Sequence, residues 1–110
     1  MIDWQRLRIL RDEVGPDDFD EVLDLFAQEV ESILSDLSPD NAAAQIEAQM
    51  HALKGAALNL GFDDFSVLCS RNEKRARDGE IPQIDLSAVT ATYFQSKAVL
   101  KDGITAQLSS

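Results

Sequence analysis

FDEVLDLFAQEVESILSDL, residues 19–37, decides the fold. Its Phe19, Leu23, Phe26, Val30, Ile33 and Leu37 fall alternately four and three residues apart, the spacing that builds one seam of a helical bundle. The pattern predicts a helix from about Asp17 to Leu37. The acids at its start, Asp17, Asp18, Asp20, Glu21 and Asp24, suit the positive end of the helix dipole and need no function. The next stretch, NAAAQIEAQMHALKGAALNLG at residues 41–61, repeats the alternation in Ile46, Met50, Leu53, Ala57 and Leu60. It predicts a helix that starts after Pro39, with Asp40 or Asn41 as cap, and stops at Gly61.

Working outward, Trp4, Leu7, Leu10 and Val14 share one face of a short first helix that begins near Asp3 as N-cap, ends at Gly15-Pro16 and lids the bundle. A fourth helix from roughly Asp63 to Asp78 buries Phe65, Leu68, Cys69 and Ala76 and is stopped by Gly79. A fifth follows Pro82, with Asp85 near its start and Leu86, Val89, Tyr93 and Leu100 inward. Gly103 is expected to end or kink it, because glycine costs about 1 kcal/mol relative to alanine inside a helix. There is no internal repeat and no low-complexity tract. The fold class expected is all-α, an antiparallel four-helix bundle with a short additional N-terminal helix, forming one domain over residues 1–110.

The apolar share of 45% suffices for one core, but it is too dispersed for a membrane span. With no export signal at the N-terminus, the expected compartment is the cytoplasm. Cys69 is the only cysteine, which excludes an internal disulfide and a cysteine-rich metal site. The formal net charge of -10 argues against general nucleic-acid binding. The partners expected are proteins.

His51 is the sole histidine. At about 100° of rotation per residue, the core positions Ile46, Leu53, Ala57 and Leu60 lie well over 100° from it, whereas Lys54, Gly55 and Leu58 lie within about 60°. His51 is therefore expected to face outward, on a strip that also collects Ala44, Glu47 and Ala48. A mostly small or apolar strip on a heavily charged protein fits a docking surface. An exposed imidazole presents a nitrogen lone pair near neutral pH and suits a phosphoryl carrier. Lys54, one turn on, is placed to offset phosphoryl charge, so its removal is expected to slow transfer and leave stability near wild type. Gly55 withholds a side chain where a partner must approach the imidazole closely.

HALKGAALNLG, residues 51–61, resembles the signature of histidine phosphotransfer (HPt) domains, a histidine followed at fixed spacing by Lys-Gly. Val22 to Phe26 resembles that family's second helix, and Phe65 through Gly79, including Cys69 and Glu73, its fourth. The resemblance implies that His51 is phosphorylated, Lys54 stabilises the phosphoryl group, Gly55 gives clearance and Gly61 closes the turn between helices. It implies partners too: response-regulator receiver domains that donate and accept phosphate through an aspartate, and a hybrid sensor histidine kinase. No metal or other cofactor of the chain's own is implied, since magnesium belongs to the receiver. Two positions depart from the family pattern. Asn72 stands on the inward stripe of the fourth helix where an apolar residue is usual, at roughly 1–3 kcal/mol if unpartnered, and Ala56 replaces a common serine.

Arg71, Lys74, Arg75 and Arg77 form a basic cluster that is either a solvated face or, through Arg71 and Arg75, part of the docking surface. The competing reading is a bundle that docks on a kinase or receiver to regulate it without carrying phosphate. Retention of both His51 and Lys54 weighs against it. Gly55 and Gly61 form no phosphate-cradling loop, so independent kinase activity is not expected. The chain is expected to be a complete, free-standing monomer.

Overall fold

The computed structural model describes residues 2–108. Five α-helices follow in order: α1 (Trp4–Val14), α2 (Phe19–Ser35), α3 (Ala43–Leu60), α4 (Asp63–Arg77) and α5 (Leu86–Leu108), with a 3₁₀ turn at Ile81–Gln83 before the last. The long helices α2 to α5 form the antiparallel four-helix bundle, and α1 lies across α2, α3 and α5 at one end. The molecule is accordingly elongated, 46 × 20 × 19 Å. No helix among the described residues is long and apolar enough to cross a membrane.

The first helix starts as its sequence suggests, with the Asp3 side chain accepting from the Arg6 amide at 3.1 Å. At α5 the Asp85 carboxylate accepts from the Ala88 amide at 3.0 Å and from the Ser87 hydroxyl. Gly61 ends α3 in the left-handed region, φ 68°, and a Cβ there would lie 2.6 Å from the carbonyl oxygen of Asp3. Two reasons thus require glycine at that turn, its backbone angle and the close approach of the segment before α1, whose Asp3 amide donates to Gly61 O.

Several local expectations are corrected. Neither Asp40 nor Asn41 caps α3, since the cap is Ala42 with no side-chain bond. Asn41 instead donates to the Asp36 carbonyl at 2.9 Å and to Gln49, clasping the turn between α2 and α3. Helix α2 ends at Ser35, short of Leu37; Leu34 is buried, while Phe26 and Ile33 in α2 and Leu37 beyond it are only half-buried. An α-helix drifts about 20° per heptad against a strict seven-residue repeat, which moves the core from one side of the seam to the other along its length. Leu68 and Leu86 are likewise half-buried.

Gly103 does not end α5, which runs on to Leu108. The indole of Trp4 lies on it, so that a Cβ would sit 2.7 Å from the ring, and the glycine is the seat for α1. In return α1 caps the end of α5, Arg8 donating to the Gln107 carbonyl and Arg11 to that of Leu108. The core itself is built from Leu7, Leu23, Val30, Ile46, Met50, Leu53, Phe62, Phe65 and Val89, with Cys69 among them. Asn72 is buried with them. Its carbonyl oxygen accepts from Arg75, one turn on in the same helix, while its amide nitrogen has no partner among the described residues.

Candidate functional site

The mid-section of α3 turns its core residues Met50, Leu53, Ala56 and Ala57 inward, which leaves the His51 side chain 70% exposed. Its imidazole is nonetheless held. Across the helix pair, Glu73 of α4 lies 9% exposed, with Oε2 3.0 Å from His51 Nδ1 and Oε1 2.7 Å from Lys54 Nζ. Arg77, one turn along α4, reaches the same Oε2 at 3.4 Å and Glu47 of α3 at 3.1 Å. One carboxylate therefore joins His51, Lys54 and Arg77, and Arg77 ties Glu47 to the same network.

The Lys54 ammonium, and after it the His51 ring, hold the Glu73 carboxyl below its ordinary value of 4.5, against the opposing effect of burial. An ionised carboxylate only accepts hydrogen bonds, so His51 Nδ1 carries a hydrogen, and in the neutral ring the lone pair is then on Nε2. The arrangement fixes both the tautomer and the direction of the ring. It leaves Nε2 without a bonded partner among the described residues, while the Lys54 and Arg77 cations hold the same carboxylate.

The surrounding strip is as open as its spacing suggests: Ala44, Ala48, Gly55 and Leu58 are all exposed around His51. A Cβ added at Gly55 would meet nothing within 4 Å. No packing among the described residues demands that glycine. Lys54, by contrast, is not a loose surface charge. Its bond to a buried carboxylate revises the expectation that its removal would leave stability untouched, because Glu73 would lose its shortest ion pair.

Arg71 and Arg75 part company. Arg71 stands exposed on the outer flank of α4, whereas Arg75 is half-buried, bonded to Asn72 and the Gln83 carbonyl. The cluster member that joins the site is Arg77. Residue spacing alone does not mark Glu73 and Arg77 as site residues, although a signal for Glu73 exists in the sequence. Glu73 sits on the stripe of Phe65, Cys69, Asn72 and Ala76, and an acid on a buried stripe demands a partner.

An Hpt domain family profile matches residues 21–107. The chain is also similar to a curated protein, Histidine-containing phosphotransfer protein 1 of Oryza sativa subsp. japonica, 29% identical over 92 residues. That alignment covers 76% of this chain and 63% of the relative, so the chain spans less than two thirds of the protein it matches. No solved structure gives a significant match. The profile takes in α3 and α4 whole, with His51 and every residue bonded around it, and the chain belongs to the Hpt domain family.

Proposed function

We propose that this protein is a phosphorelay intermediate that accepts a phosphoryl group on His51 Nε2 from a receiver-domain aspartyl phosphate and passes it to another receiver aspartate. The observation that carries this reading is the ring itself, mostly exposed yet tied through Nδ1 to a carboxylate. Nε2 attacks phosphorus, the new P–N bond forms as the acyl P–O bond breaks, and the electron pair leaves on the receiver's carboxylate. The ring gains positive charge in this step, and Glu73 stabilises it through the Nδ1–H bond. Lys54 and Arg77 are the cations within reach of the incoming oxygens, and they exchange part of their hold on Glu73 for the phosphoryl group.

The chain supplies a positioned nucleophile and the receiver supplies the magnesium, so the protein is a carrier with no kinase activity of its own. Both phosphates are high-energy, and transfer runs in either direction. A hybrid sensor histidine kinase is the upstream source. The reading includes a cytoplasmic monomer, which fits helical seams that take up most of the apolar residues. A role in docking alone leaves the oriented lone pair without a use.

The test is to incubate the purified protein with a phosphorylated receiver domain and follow acid-labile, base-stable phosphate. Wild type is expected to be labelled and His51→Gln not. Equal labelling of the two would remove His51 from the reaction.

A further inference from the structure

Charge is unevenly distributed along this chain. Residues 12–53 carry twelve acidic residues and not one Lys or Arg. Four of the ten cations, Lys54, Arg71, Lys74 and Arg77, line a single cleft of about 430 Å³ along the outer flank of α4, together with Val67 and Ser70. Lys54 and Arg77 are bonded to Glu73, and Lys74 to Asp78. Arg71 is exposed and makes no hydrogen bond or ion pair among the described residues. Beside it Val67 is 57% exposed, an apolar side chain set among cations. The cleft also shares Lys54 and Glu73 with the His51 site, so a partner settling over the imidazole from the α4 side covers it.

We propose that this cleft reads the partner: the receiver that exchanges phosphate with His51 lays an acidic side chain against Arg71 and an apolar one on Val67. The inference rests on the phosphotransfer reading above and adds the chemistry of the surface that docks. A partner carrying an acidic edge is repelled by the α2 side of the bundle and attracted along α4, so charge biases its orientation before contact. The apolar contact at Val67 then excludes water beside the ion pair and strengthens it. Arg71 suits this role because it has no internal partner to give up, unlike Lys54 and Arg77.

The test uses a phosphorylated receiver domain that labels the wild-type protein, with transfer kcat/KM measured at low and high ionic strength. Arg71→Glu is expected to lower it about tenfold at low salt, with the gap closing as salt screens the charge. Arg71→Lys should stay near wild type, and Val67→Asp should slow transfer at both salt levels. Circular dichroism establishes that each variant is folded. Variants as fast as wild type overturn this inference alone, whereas a wild-type protein that no phosphorylated receiver labels overturns the phosphotransfer reading as well. Sedimentation of the wild type with phosphatidylglycerol vesicles, lost in Arg71→Glu while transfer is unchanged, would assign the cleft to a lipid surface and overturn it too.

Discussion

Glu73 on α4 and Glu31 on α2 are bonded in the same way, each accepting from a ring and from a lysine on the neighbouring helix. Glu73 takes His51 at 3.0 Å and Lys54 at 2.7 Å, and Glu31 takes the Tyr93 hydroxyl at 2.8 Å and Lys97 at 2.6 Å. In both, the lysine is the main cause that holds the carboxyl below its ordinary value. The rings differ. Tyr93 is fully buried against Phe62 and Phe65, and burial together with Glu31 pushes its hydroxyl far up. Its one proton is spent in the bond to Glu31. His51 has a second nitrogen with no bonded partner among the described residues, on a side chain that is mostly exposed. The hydrogen-bond pattern is thus the same in a structural tie and in a candidate reactive site, and what separates them is what the ring has left to offer.

The largest effect that would sharpen this contrast is at the ring itself. His51→Gln is expected to lose phosphate acceptance entirely with an unchanged fold, while Tyr93→Phe should keep acceptance and lose about 1 kcal/mol of stability in urea denaturation. A Tyr93→Phe protein that failed to accept phosphate would break the comparison. Next in size is Glu73→Gln, which keeps the shape but loses the obligate acceptor. Transfer should slow by about one to two orders of magnitude, and ¹⁵N spectra should show proton density moving from Nδ1 towards Nε2. The equivalent Glu31→Gln should leave transfer rates unaltered.

Lys54→Ala is expected to cost about 1–3 kcal/mol, since it uncovers a buried carboxylate that keeps only His51 and Arg77. Thermal denaturation beside the transfer rate separates this loss from the electrostatic one. A smaller effect concerns acid. Because the folded Glu73 value is depressed, its contribution to stability is complete above 4.5 and is lost as pH falls through the lowered folded value. Urea midpoints from neutral pH downward should therefore converge for wild type and Glu73→Gln only in strong acid. Convergence already near neutral pH would contradict the ion pair. Smallest of all in consequence is Cys69, whose thiol burial pushes up to about 12, so maleimide labelling of the native protein should be no faster than its unfolding.

The parts of this account that depend on one helix at a time could be read from the chain. Angular spacing turned His51 outward and Leu53 and Leu60 inward, and Asp3, Asp85 and Gly61 marked helix ends through local chemistry. The parts that depend on how two helices are rotated against each other could not. Glu73 meets His51 because of the facing of α4 on α3, which no spacing within α4 specifies, although once Glu73 is placed its i+4 neighbour Arg77 follows it to the site and Arg75 does not. Gly103 is the same case: a helix breaker by propensity, it is overruled by an indole from α1, 99 residues away in the chain.

The most direct test of the central claim is to phosphorylate the protein with phosphoramidate and locate the phosphoryl group on the ring by long-range ¹H–¹⁵N correlation. The geometry predicts phosphate on Nε2 with the hydrogen retained on Nδ1 towards Glu73. Phosphate on Nδ1, or no phosphohistidine at all, would contradict it.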